Sequence, residues 1–71
     1  MTGDEVRKVG FREKWRGYDP ADVDPLLEKI ARELDAGRSP SHLLDHIPFG
    51  QKLRGYNPKD VDAFLARIRA E

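Results

Sequence analysis

Lys14, Trp15 and Arg16 set an aromatic ring between two cations. An indole can sit at an apolar boundary while flanking charges meet anions, so this triplet suits an anionic lipid surface. The same ring is as well suited to a core, or to the seam between two packed segments, because large aromatics are seldom left in water. Basic loops are also commonly just solvated, and both readings stay open at this point. His42 and His46 stand four apart with Asp45 beside them. Two ligands fall short of a metal site, so surface histidines and no metal are expected. Asp22, Asp24, Asp60 and Asp62 read as helix-capping carboxylates rather than as a buried acid–base pair. No nucleophile–base set and no glycine-rich phosphate loop can be picked out. Neither catalysis nor a cofactor is expected.

Those residues lie in a stretch that occurs twice. RGYDPADVD at residues 16–24 returns as RGYNPKDVD at 54–62. A shift of 38 positions aligns residues 9–33 with 47–71, with twelve of those twenty-five positions identical. An internal duplication is the strongest signal in the chain.

Each copy is punctuated as a loop that enters a helix. Asp19 and Asn57 are N-cap residues, and Pro20 and Pro58 follow at the first helical position, where a missing N–H costs nothing. Asp22 and Asp60 fall at the third position, near the positive end of the helix dipole. Gly17 and Gly55 are expected to permit a left-handed or tight backbone before the cap. Val23, Leu26, Leu27, Ile30 and Leu34, then Val61, Phe64, Leu65 and Ile68, form one apolar stripe per helix. Gly37 reads as the stop of the first. Pro25 should kink that helix or make its first turn irregular.

Ahead of each loop lies a short helical prelude. Thr2 with Glu5 forms a capping box, and Ser39 with Pro40 opens the second. The spacing predicts long helices over Pro20–Ala36 and Pro58–Ala70 and short ones over Gly3–Lys8 and Pro40–His46. The fold class expected is all-α: two short-helix/loop/long-helix repeats, 1–37 and 38–71, packed as an intramolecular pseudo-dimer in one compact domain.

Seventy-one residues hold little core, and with no cysteine the disulfide route to stability is closed. No apolar run approaches a membrane span, so a cytoplasmic protein is expected. Thirteen Lys and Arg balance thirteen Asp and Glu, which argues against nucleic acid as a partner. The charge is patterned, however, with each half basic first and acidic second.

A Thr- or Ser-led short helix, a Phe, a basic loop ending in RGY, and then D/N-x-x-x-VD-x-[FL]-L resembles the N-terminal domain of the DivIVA family of bacterial cell-division and polar-growth scaffolds. The first copy matches at Phe11, Arg16, Gly17, Tyr18, Val23, Asp24 and Leu27. The second matches at Phe49, Arg54, Gly55, Tyr56, Val61, Asp62, Phe64 and Leu65. The resemblance implies a parallel dimer whose crossed loops present an apolar residue and an arginine to anionic membrane. The matching positions are Trp15–Arg16 and Leu53–Arg54, with Lys14 and Lys52 beside them. Family scaffolds continue into a long coiled coil, and heptads of that kind are absent here. Each copy is therefore expected to supply half of a core that neither buries alone. The function expected is a non-enzymatic module that binds anionic membrane, on the inner face of the plasma membrane, or a division-site partner. The alternative is a soluble adaptor whose apolar groove takes a partner helix or tail. Monomer (pseudo-dimer) and homodimer both remain open.

Overall fold

The computed structural model describes residues 1–44 and 49–70. In chain order they form α1 (Gly3–Lys8), β1 (Glu13–Tyr18), α2 (Pro20–Asp35), a single 3-10 turn (Ser41–Leu43), β2 (Gln51–Tyr56) and α3 (Pro58–Ala70). The expectation of an all-α fold is thus corrected, because β1 and β2 pair into a two-stranded sheet. Glu13 faces Tyr56, Lys14 faces Gly55, Arg16 faces Leu53, Gly17 faces Lys52 and Tyr18 faces Gln51. Numbers climb on one strand as they fall on the other, the antiparallel sense. One further, parallel-type bridge joins Tyr18 to Tyr56, and the ladder is irregular along its length.

The physical reason for the correction is plain. A half-buried strand announces itself by apolar residues at every second position. Here residues 13–16 and 51–54 are exposed on both faces, so no such alternation exists. The hydrogen-bonding partner of each strand also lies far off in sequence, and local propensity carries no record of it.

The helices follow their punctuation. Asp19 Oδ1 accepts from the Ala21 N–H at 2.9 Å, and Asn57 Oδ1 accepts from the Lys59 N–H at 3.0 Å. At the C-terminus of α2, Gly37 takes φ +73° while its N–H donates to Leu34 and that of Arg38 donates to Glu33. That is a Schellman closure, and it needs the left-handed residue that glycine supplies. α1 and α3 run over the residues expected, and α2 stops at Asp35 rather than Ala36. The irregular first turn expected at Pro25 is not seen, because α2 is helical from Pro20 onward. Pro25 is exposed, as is Ala21, whose carbonyl loses its intrahelical donor there. A carbonyl freed at an exposed position can be satisfied by solvent, so the helix does not have to break. Of the short helix expected over Pro40–His46, the described part is the 3-10 turn, and Asp45 and His46 lie outside the described residues.

The core gathers Val6 from α1, Val23, Leu27, Ile30 and Ala31 from α2, Leu44 after the 3-10 turn, and Val61, Phe64, Leu65 and Ile68 from α3. α1 lies close on α2, where a side-chain atom on Gly3 would meet the Ala31 carbonyl at 2.8 Å. Arg7 on α1 reaches Asp35 at 2.7 Å and Glu28 at 3.3 Å across that contact.

Candidate functional site

The two strands come together at their glycines. A Cβ on Gly17 would lie 2.3 Å from the Tyr56 carbonyl oxygen, and one on Gly55 would lie 2.4 Å from that of Tyr18. Both positions are buried, and neither glycine has a positive φ. Of the left-handed or tight backbone expected there, the left-handed alternative is not seen. These glycines serve the close approach of two backbones. The non-glycine residue with positive φ is Arg54, at +61°. The ladder carries no pair between Lys14–Gly55 and Arg16–Leu53, where Trp15 and Arg54 fall.

On either side of the glycines the contacts recur at the 38-residue offset. The Tyr18 hydroxyl donates to Asp62 at 2.9 Å, and that of Tyr56 donates to Asp24 at 2.8 Å. The Gly50 N–H donates to Asp22 at 2.8 Å, as the Arg12 N–H does to Asp60 at 3.2 Å. Asp19 donates its N–H to the Gly50 carbonyl, and Asn57 donates its own to Arg12. The Tyr18 ring lies 4.9 Å from Phe49, and that of Tyr56 lies 5.3 Å from Phe11. All of these cross from one half of the sequence to the other.

Asp22 and Asp60 lie in the first turns of α2 and α3 as expected, and all four aspartates do more than cap. Asp22 and Asp60 hold the opposite loop at its backbone, and Asp24 and Asp62 accept from the opposite tyrosine. The Arg12 guanidinium, 2.9 Å from Asp60, holds that carboxyl below the usual carboxylate range. Tyr56 is pushed above the ordinary tyrosine value by its hydrogen bond to Asp24 and then by burial. Tyr18 is pushed up first by burial, then by Asp62. Sequence reasoning missed Arg12 and these tyrosine–carboxylate bonds. The signal available was that RGY and VD are kept at one spacing in both copies.

This anchoring leaves the ribbon itself facing outward. Lys14, Trp15, Arg16, Lys52, Leu53 and Arg54 are all exposed. Trp15 is 66% and Leu53 59% accessible, and these are the exposed large apolar side chains among the described residues. The core placement left open for Trp15 is not observed. Gly17 and Gly55 sit at the crossing, Asp19 and Asn57 cap α2 and α3, and Asp22 and Asp60 fasten the ribbon ends. Among the described residues no group of three or more His, Cys, Asp or Glu is arranged to hold a metal. His42 is exposed, and His46 lies outside the described residues. No helix among the described residues is long and apolar enough to cross a membrane.

A second surface feature is a cleft between α1 and α2. Val6, Val9 and Leu27 line it, with Arg7, Asp24, Glu28 and Tyr56 around them.

No family model and no solved structure matches the chain. Over 36 residues, 51% of its length, the chain is 46% identical to the cell cycle protein GpsB of Levilactobacillus brevis. The match takes in 31% of that protein, so the chain spans about a third of the relative it resembles. Half of this sequence is thus similar to part of a bacterial cell cycle protein.

Proposed function

We propose that the chain is a non-enzymatic, DivIVA-like module of bacterial cell division or polar growth that binds anionic membrane through the crossed β1–β2 ribbon. In this reading it is one domain of two repeats, 1–37 and 38–71, paired within a single chain. The observation that carries it is the coincidence of Trp15 and Leu53 with Lys14, Arg16, Lys52 and Arg54 on one exposed ribbon. Large apolar side chains left in water at a basic surface are what an anionic interface would cover. The reciprocal contacts at the 38-residue offset support pairing of the two halves. The similarity to GpsB, of the DivIVA family, supports a cell-division setting. On this reading the protein works at the cytoplasmic face of the membrane.

Trp15, the sole tryptophan, reports directly. Its emission is expected red in buffer, shifting to the blue with anionic vesicles. The shift should reverse at high salt, fail with neutral lipid, and vanish in the Arg16→Gln/Arg54→Gln double variant with helicity unchanged. An emission indifferent to anionic vesicles removes the membrane reading. The α1–α2 cleft favours a second reading, an adaptor that takes an apolar segment of another division-site protein against Val6, Val9 and Leu27. That reading takes the lead if the vesicle experiment fails.

A further inference from the structure

The two strands of the ribbon are not equivalent, and the difference is electrostatic. At the 38-residue offset Glu13 corresponds to Gln51. The Glu13 carboxylate lies 3.9 Å from Nε of Arg54, across the ribbon. Among the described residues Lys14, Arg16 and Lys52 have no carboxylate within ion-pair distance. One of the four ribbon cations is thus already partnered, and the other three are free of carboxylates.

The backbone of Arg54 is distinctive as well. It takes φ +61° at the point where the ladder skips a pair, a conformation that L side chains rarely adopt. Its counterpart Arg16 has no positive φ. The pair with Glu13 is solvent-exposed, with side chains 75% and 66% accessible. Exposed pairs of this kind are weak and exchange readily. A contact that weak cannot be what holds the ribbon together. It is well suited to yield to a stronger anion.

We infer that Glu13 is a built-in competitor for Arg54, occupying it in the free protein and giving way to the anionic headgroup of a lipid. The inference rests on the membrane reading above. It makes the threshold of lipid charge a property of one carboxylate, present on β1 and replaced by an amide on β2. At a surface of few anionic lipids Glu13 keeps Arg54, and the ribbon engages through three cations. Where anionic lipid is dense, Arg54 exchanges partners and the fourth cation joins.

The test uses the intact chain with vesicles of phosphatidylglycerol in phosphatidylcholine, read by Trp15 emission and by co-sedimentation. On vesicles sparse in phosphatidylglycerol Glu13→Gln is expected to tighten binding about fivefold, the worth of one cation at such a surface, and on vesicles rich in it by less than about twofold. In an Arg54→Gln background the same substitution is expected to change affinity less than about twofold. Equal tightening in both backgrounds would show that Glu13 acts only as a negative charge, and would overturn the inference. Affinity that depends on Arg16 yet ignores Glu13→Gln would overturn it too, leaving the membrane reading intact. Absence of vesicle binding by every form would remove that reading, and the inference with it. Inorganic phosphate, titrated without vesicles, is expected to leave the emission unchanged. A shift there equal to that with vesicles would assign Arg54 to a free-anion site and overturn the lipid assignment.

Discussion

At the scale of single residues, the ribbon depends on two glycines that have no room for a side chain. Gly17→Ala and Gly55→Ala each drive a methyl group into a backbone carbonyl at under 2.5 Å. Neither carbonyl is the movable end of a side chain, so each substitution is expected to cost more than about 2 kcal/mol. Gly10→Ala, where nothing lies within 4 Å, should stay within about 0.5 kcal/mol of the parent. Thermal melts of the three variants compare them directly. The ionisable contacts give a second residue-scale prediction. Tyr18 and Tyr56 are raised in the folded state, so their contribution is complete below the ordinary tyrosine range. It is lost as pH climbs through the raised values. Asp60, Glu28 and Glu33 are lowered, each first of all by a hydrogen bond from an arginine side chain. Their contribution is present above the ordinary carboxylate range and is lost as pH falls through the lowered values. The melting temperature should thus decline at both extremes. Arg12→Ala, which takes away the principal partner of Asp60, should flatten the acid limb.

At the scale of elements, α2 and α3 carry the core and each is held by one buried stripe. Leu27 and Leu65 sit mid-stripe and are nearly inaccessible. Truncation of either to alanine is expected to cost about 2–5 kcal/mol, read as a shift in the urea midpoint at unchanged slope. Pro25 predicts the opposite sign. It lies inside α2 on the solvent side and withholds a donor from the exposed Ala21 carbonyl. Pro25→Ala should restore that bond and stabilise the protein by about 1–3 kcal/mol. A Pro25→Ala variant no more stable than the parent would mean that the helix has already adjusted around its proline.

At the scale of the whole molecule, the proposal is that neither half folds without the other. The bonds from Tyr18 to Asp62, Tyr56 to Asp24, Gly50 to Asp22 and Arg12 to Asp60 all run between halves. A fragment of residues 1–37 would expose Val23, Leu27 and Ile30 and leave β1 without a partner strand. Separate 1–37 and 38–71 peptides are expected to be largely unstructured by circular dichroism and to gain helix when mixed at equal ratio. Full helicity in the isolated first half would contradict the proposal. Small size sharpens this expectation, because a chain of this length has a stability margin of a few kcal/mol and half a core cannot supply it.

The sequence by itself determined the starts of α2 and α3, the Schellman stop at Gly37 and the stripe residues Val23, Leu27, Ile30, Val61, Leu65 and Ile68. Caps, proline placement and helical period are short-range, so each can be read from neighbours in the chain. It also held RGY and VD twice at one spacing. It did not hold the sheet. β1 and β2 are strands because each finds the other across the fold, and an exposed, irregular ribbon has no period to betray it. For the same reason Gly17 and Gly55 looked like turn residues, when what demands glycine there is another backbone pressed against them. Only the first-turn role of Asp22 and Asp60 was legible, because the groups the aspartates accept from are distant in sequence. Trp15 could be placed neither in the core nor on the surface, since its accessibility depends on which loop lies opposite. What a residue does with its neighbours in the chain was legible, and what it does with a partner 38 residues away was decided by the tertiary structure.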